Sequence, residues 1–412
     1  MKRIIPPHLL TTPSPLINNF VDYLNRSSSE YIPQYSVQTA LSFFGHLYGR
    51  QYIGETGLST GCYSMLVGQS GIGKNYCKDG LSMFDELHTN IIGGATSDSG
   101  LFTAFVRNPN LMIVSDEIGD KIGKNDDLAK SFWRLIREVF NTRKLTEEAY
   151  AGRRNGIIEE KKEDYNIISP CLSIIGITTP KQLSLGLSDS DVESGTINRF
   201  CIVNAFVDEI MDNEHELRPE PTDELKSAIL DSGSRLENEK GQKSYASKPE
   251  LKLIKFSSGD KVRMNRKRRE LLISKNSIYT VRSVEKAMRI AMLVTISMKL
   301  EIIPTEVLDW ALEYELYHAY NIKKISNSIN QTKYAEDIEK LVQKLKGSKN
   351  GLEKWKVNKY FREVLGLETY KRDSILVDLE EDKLIEWFDQ AANKNNGKSK
   401  KILFYVGDKR KH

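Results

Sequence analysis

The run "CYSMLVGQSGIGKNYC" (62–77) constrains the fold of this chain more than any other stretch. An apolar segment, Cys62 to Val67, closes on Gly68. The spacing Gly, any four residues, Gly, Lys is then met by Gly68, Gly73 and Lys74. A short buried strand that enters a glycine turn and leaves as a helix belongs in a parallel sheet covered by helices. The loop Gly68, Gln69, Ser70, Gly71, Ile72, Gly73 can turn successive backbone N–H groups inward as a nest for phosphate oxygens. The following helix points its positive end at the same spot, and Lys74 reaches the β- and γ-phosphates. One position departs from the pattern. A Ser or Thr hydroxyl should follow the lysine as a magnesium ligand, and here Asn75 follows it. Its amide oxygen is a hard ligand that magnesium accepts, though neutral and differently placed. Three readings stay open: a metal-dependent hydrolytic site, a site that binds without turnover, or a glycine-rich turn with no ligand.

A second segment favours hydrolysis. In "LMIVSDE" a hydrophobic strand ends in adjacent carboxylates 42 residues after Lys74. Asp116 and Glu117 then stand at the C-terminal edge of a strand, where ligands sit in such sheets. Asp116 would hold the magnesium shell, and Glu117 would orient and deprotonate the attacking water. The competing reading of an acidic pair closing a strand is a solvated turn.

The rest of the chain fits this frame. "LINNFVDYLN" and "SVQTALSFFGHLYGR" carry apolar residues at helical spacing, "LAKSFWRLIREVFN" is an amphipathic helix, and "PCLSIIGITTP" is another buried strand. The alternation predicts a parallel sheet with crossover helices. From Asp208 to Lys255 the sequence is polar, as in a surface excursion or linker; residues 259 to 328 are helical again. At 412 residues, two or three domains are expected. With 39% hydrophobic and 28% charged residues the composition is that of a globular protein, and the longest nearly apolar run, "IAMLVTISM", is far too short to cross a bilayer. "MKRIIPPHLLTTPSPL" is interrupted by prolines before any apolar core develops, so no signal peptide is expected. Cys62, Cys77, Cys171 and Cys201 lack the paired spacing of zinc sites and read as buried thiols in a reducing compartment. Net charge is +4, but its distribution is uneven: from Gln331 onward there are 19 Lys and Arg against 14 Asp and Glu.

Taken in order, "ALSFFGHLYGRQY", the glycine loop, "IVSDEIGD", "CLSIIGITTPKQL" and "SGTINRF" resemble the AAA+ ATPase core of phage- and plasmid-encoded replication proteins, relatives of the superfamily 3 helicases and primase-helicases. The likeness covers about residues 30 to 205 and is imperfect at Asn75. It implies that ATP with Mg2+ is the substrate complex. It also implies that Thr178 or Thr179 contacts the γ-phosphate, and that Arg199 reaches the ATP of a neighbouring subunit. A guanidinium there would offset charge developing on the transferred phosphoryl group. The plain alternative for Arg199 is an ordinary surface arginine. "YTVRSVEKAMRIAMLV" (279–294) is similar to the second-sensor helix of minichromosome-maintenance helicases, which makes Arg282 an arginine that approaches nucleotide. The plain reading is a helix with one apolar face and Arg282, Glu285, Lys286 and Arg289 towards solvent.

Nucleic acid could meet three basic elements. The polar segment 141–165 corresponds, in the resembling helicases, to a hairpin facing a central pore. "AYAGRRNG" at its centre sets Arg153 and Arg154 on a glycine-flanked turn with Tyr150 nearby, suited to phosphates and to base stacking; otherwise it is a mobile surface loop. "KVRMNRKRRE" (261–270), charged all round as a helix, is either a solvated face or a second phosphate-binding strip. At the C-terminus, "YAEDIEKLVQKLKG", "EKWKVNKYFREVLG" and "ETYKRDSILVDLEEDKLI" read as three amphipathic helices. "LIEWFDQ" and "KILFYV" read as a hairpin with a basic Asn/Gly/Lys tip. That is a winged-helix arrangement, with Tyr370, Lys371 and Arg372 presented to a major groove and Lys394, Lys398, Lys400 and Lys401 to phosphates. Winged helices also serve as protein-docking modules.

The expected molecule is therefore an α/β protein. A P-loop AAA+ parallel-sheet core (61–207) would lie between a helical N-terminal collar (1–60) and a linker with a helical lid (208–330), followed by a winged-helix DNA-binding domain (331–412). Its expected function is that of an ATP-dependent replicative DNA helicase of a mobile genetic element, cytoplasmic in a host cell. It would form a ring, a homo-hexamer if Arg199 acts between subunits, and work with a primase or other replication proteins. The alternatives are an ATP-driven initiator or remodelling switch that does not unwind, and a DNA-binding regulator with an inert nucleotide site.

Overall fold

A computed structural model describes residues 5–82, 84, 91–93, 97–116, 118, 127–146, 166–186, 195–213, 220–238, 248–274, 280–348, 350–365, 369–381, 384–390 and 400–406. The chain divides into two compact units, Met1–Ile325 and Ser326–His412.

At the centre of the first unit is a five-stranded sheet of β1 (Tyr63–Val67), β2 (Ile91–Ile92), β3 (Asn110–Asp116), β4 (Cys171–Thr178) and β5 (Phe200–Asn204). All pairings are parallel, and the order is β2-β3-β4-β1-β5. Every residue of β1, β4 and β5 is buried, which is why these strands read as continuous apolar runs and not as alternating ones. The order has a direct consequence: β4 runs between the strand that feeds the glycine loop and the strand that ends in Asp116. Val67 lies beside Thr178, and Asp116 beside Ile177. All three strand ends therefore meet on one edge.

The helix Pro33–Leu47 is buried almost along its whole length. Its apolar residues join those of the helix Pro15–Arg26, of the sheet, and of the helices Ser283–Ser297 and Thr305–Lys346 in one core. Phe20, Phe43, Phe44 and Phe84 cluster there with ring centroids 4.9 to 6.3 Å apart. The N-terminal helices thus belong to the body that holds the sheet. Capping explains where several helices begin: Ser14 accepts from the N–H of Ile17, with Pro15 at the first helical position, and Ser257 accepts from that of Asp260. A second, small parallel sheet joins Tyr52–Gly54, Lys252–Phe256 and Ile302–Ile303. Lys144–Thr146 and Asn166–Ile168 pair antiparallel as a two-stranded ribbon. The segment 147–165 lies between these strands in the sequence. Its centre, with Tyr150, Arg153 and Arg154, lies outside the described residues. The four cysteines are buried and free.

The second unit has its own core, in which Leu341, Leu345, Val357, Phe361, Ile375, Leu379, Ile385 and Leu403 meet. It contains the end of the helix Thr305–Lys346, the helices Lys354–Glu363 and Thr369–Glu381, and a three-stranded antiparallel sheet. In that sheet Lys400–Tyr405 lies between Leu352–Glu353 and Ile385–Gln390. Among the described residues, no helix is long and apolar enough to cross a membrane.

Candidate functional site

The loop after β1 is shaped by its glycines. Gly71 and Gly73 have φ of +87° and +75°, values that side-chain-bearing residues rarely adopt. Gly68 answers a different demand, close packing: a Cβ there would stand 2.1 Å from Ile72 Cδ1 and 2.6 Å from the Tyr35 hydroxyl. Tyr35, fully buried on the helix Pro33–Leu47, donates to the Val67 carbonyl at 2.6 Å. One helix later, the Tyr76 hydroxyl is held by Ile32 and Ser36. The covering helix therefore grips the loop on both sides, while Gln69, Ser70, Gly71, Gly73 and Asn75 stay exposed.

Lys74 turns back over this loop. Its Nζ donates to the carbonyls of Gly68 and Gln69 and, at 2.9 Å, to that of Thr178 at the end of β4. Partial burial lowers its pKa from the ordinary lysine value. Among the described residues its partners are carbonyl oxygens, which leave the ammonium's charge unneutralised. Asn75 accepts the N–H bonds of Lys78 and Asp79 through its backbone carbonyl, so it opens the helix Tyr76–Ser82 and leaves its side chain at the surface.

Asp116 ends β3 with its carboxylate 41% exposed, and Lys78 Nζ sits 2.5 Å from its Oδ2. The neighbouring strand has Gly176 where any side chain would collide with Ile118, at 2.4 Å from Cγ2. Ile118 is buried on that glycine, which pins the chain just beyond the acidic pair. Glu117 itself lies outside the described residues. Thr178 and Thr179 differ in surroundings. Thr178 is 2% exposed, whereas the Thr179 hydroxyl accepts from the Gln182 N–H and donates to its side chain, closing the first turn of the helix Pro180–Gly186. Lys74, Asn75, Asp116, Thr178 and Thr179 thus share one edge of the sheet.

Arg199 and Arg282 are at the opposite edge. Arg199 immediately precedes Phe200, the first residue of β5, which is in register with Tyr63 at the start of β1. Its Nη1 donates to the Gly195 carbonyl at 2.6 Å, its guanidinium lies 5.8 Å from the centre of the Phe140 ring, and its Nε has no hydrogen-bond partner among the described residues. Burial, then the nearby charge of Arg282, bring its pKa down to about 10. Arg282 precedes the helix Ser283–Ser297 and is bound to Glu285 at 2.8 Å. The same carboxylate meets Arg289 at 3.3 Å. Two arginines 83 positions apart in the sequence are neighbours here, joined electrostatically through Glu285.

Of the C-terminal candidates, Arg372 lies on the helix Thr369–Glu381, half-buried, with Nε 2.7 Å from Asp373 and Nη1 3.1 Å from the Asn358 side chain. Lys401 is exposed on its strand. Lys394 and Lys398 lie outside the described residues, as do the side chains of Tyr370, Lys371 and Lys400. Three partners were not apparent from the sequence: Lys78 on Asp116, Tyr35 under the loop and Glu285 between the arginines. The first two contacts span elements that only the fold brings together, whereas Glu285 meets Arg282 and Arg289 at the i,i+3 and i,i+4 spacings of its own helix.

No protein-family model matches the chain, and no curated protein matches its sequence.

Proposed function

We propose that this protein is an ATP-driven motor acting on DNA, with each nucleotide site shared between two copies of the chain. The observation that carries the reading is the split between the two edges of the central sheet. The exit edge offers a glycine nest, Lys74 and the Asp116 carboxylate. The entry edge offers Arg199 and Arg282, separated from their own loop by the length of a five-residue strand, about 16 Å. An arginine side chain does not bridge that span, so both serve a nucleotide only if it is held by a neighbouring copy. The strand order supports an AAA+ architecture, and the helices and three-stranded sheet of the second unit support a winged helix.

The groups present at the exit edge fit a magnesium nucleotide. Among the described residues Lys74 is held by neutral oxygens, the loop has open space at Gly71 and Gly73, and the Asp116 side chain is 41% exposed. Lys74 would move from its three carbonyls to the phosphates, Asp116 and Asn75 would hold the metal, and Glu117 would take the proton of the attacking water. The metal supplies neutralisation of charge on the β- and γ-oxygens. Arg199 of the next copy would complete the pocket. The work done is assigned to single-strand translocation by a ring in replication of a mobile element. A DNA-binding regulator with an inert nucleotide site is the second reading, favoured by the Lys78–Asp116 contact and by Asn75.

Mixed assemblies provide the test. Lys74→Ala and Arg199→Ala should each lower magnesium-dependent ATP turnover by about 100-fold or more. Mixing the two inactive variants should restore measurable turnover, because some interfaces then pair an intact loop with an intact arginine. Mixtures as inactive as their components would overturn the shared site. Turnover in the wild type without strand displacement on a forked duplex would leave the switch; no turnover at all would leave the regulator.

A further inference from the structure

In the second unit, a cavity of 290 Å³ opens between the helix Lys354–Glu363, the helix Thr369–Glu381 and the strands of the hairpin. Among the described residues three cations line it, Lys354, Arg372 and Lys401, against one carboxylate, Asp373. That carboxylate is already engaged by Arg372 at 2.7 Å. Lys354 and Lys401 have no ion pair among the described residues. Among the described residues, the lining therefore carries a net excess of positive charge that suits an anion. Arg372 is fixed from two sides, by Asp373 and by the amide oxygen of Asn358, so its remaining donors are held in place before any ligand arrives. The remaining wall is of another kind. Trp387 and Leu376 line it, and both are partly buried against the core of the unit.

We propose that this cleft binds single-stranded nucleic acid, with backbone phosphates on Lys354, Lys401 and Arg372 and one unpaired base against Trp387. A cationic track beside an aromatic side chain is the combination that holds single strands without reading their sequence. A duplex presents its phosphates on a broad convex surface and keeps its bases stacked, so it makes no use of a concave site with an aromatic wall. An acidic peptide would use the cations but not Trp387. The inference sharpens the DNA-binding part of the proposed function. It is tested without nucleotide, so its failure and the failure of the ATP site are separate results.

The experiment uses the full chain and an oligothymidylate, in the absence of ATP. Trp387 is one of four tryptophans. Stacking of a base on it should quench part of the intrinsic fluorescence, and Trp387→Phe should remove that quenching while the thermal melt stays in place. Lys354→Ala combined with Lys401→Ala should weaken binding about tenfold and lower the slope of log affinity against log salt by about 1.4, two phosphate contacts' worth. Arg372→Gln, which keeps the bond to Asn358 within reach, should weaken it as well. Quenching that persists in Trp387→Phe overturns the proposal. So does affinity unchanged in the double lysine variant, or a duplex or polyglutamate binding more tightly than the single strand and depending on the same lysines.

Discussion

At the entry edge of the central sheet Arg289 and Lys286 are buried and tied down; at the exit edge Lys74 stands partly exposed on carbonyl contacts. Arg289, 2% exposed, donates to the Ser59 carbonyl and hydroxyl, to the Phe140 carbonyl at 2.6 Å and to the Asn141 side chain, with its guanidinium 4.1 Å from the centre of the Phe140 ring. Lys286 and Glu315 form a buried ion pair at 2.9 Å, and Lys286 also caps the Phe200 carbonyl. Lys74 has three carbonyls and partial exposure. The difference separates charge that specifies the fold from charge that is free to bind. Arg199 and Arg282 sit on the first kind of foundation: the entry edge fixes them in the frame of the sheet, while the exit edge keeps its lysine and carboxylate open to solvent.

Substitution at the two edges should separate these roles most widely. Arg289→Ala removes one partner from a buried network and leaves six acceptors without their donor. It should cost about 3–5 kcal/mol of stability in a urea titration. Lys74→Ala should change the stability from the same titration by no more than about 0.5 kcal/mol, because Lys74 is itself partly exposed on a loop that borders solvent. An Arg289→Ala protein as stable as the wild type would break the comparison, since the entry edge would then be no more committed to the fold than the loop.

A smaller effect sharpens it from the same side. His318 is fully buried, with the rings of Tyr314 and Tyr317 at 4.5 and 5.2 Å, and neither ring nitrogen has a hydrogen-bond partner among the described residues. Burial first, then the charge of Lys286 from the neighbouring helix, lower its pKa to about 3; Glu315, on its own helix, is paired with that lysine. A histidine depressed in the folded state binds its proton only on unfolding. Its contribution is therefore complete above pH 6.5 and is lost as pH falls towards 3. Between pH 7 and pH 5 the loss should be about 2 kcal/mol. His318→Leu should flatten the stability–pH curve by that amount over that interval. Equal curves for the two proteins would show that His318 is not held neutral.

The parts of this architecture visible in the sequence are those in which one segment carries its own signal. β1, β3 and β4 are predominantly apolar runs, and two of them end in the loop and the acidic residue that the sheet then brings to one edge. β5, five residues from Phe200 to Asn204, was hidden because a short apolar run directly after "TINR" has no turn residues to frame it. The small sheet was hidden for another reason. Tyr52–Gly54 pairs with Lys252–Phe256 some 200 positions later, and strands of three to five residues have no pattern that names a partner. Thr179 illustrates a local ambiguity: a threonine before proline at a strand end suits a phosphate contact and a helix cap equally, and here its hydroxyl closes a helical turn. The Arg199–Arg282 neighbourhood and the position of both at the entry edge depend on tertiary packing alone.

The smallest expected effect concerns the Lys78–Asp116 ion pair at the exit edge. Lys78 and Asp116 are 44% and 41% exposed, so solvent screens their attraction and the pair is worth about 0.2–1 kcal/mol. In the proposed site Asp116 has a second task, holding the metal, and Lys78 occupies the same carboxylate. Lys78→Met keeps the length of the side chain and removes its charge. It should leave stability nearly unchanged and lower the magnesium concentration that half-saturates turnover by about 1.4- to fivefold, the factor that corresponds to releasing such a pair. The maximal rate should hold, because Lys74 and the loop are untouched. A magnesium requirement that rises in the variant would mean that Lys78 assists the phosphates instead of competing for Asp116. The contrast would then fail on its open side, with the exit edge carrying two committed lysines where only Lys74 is expected.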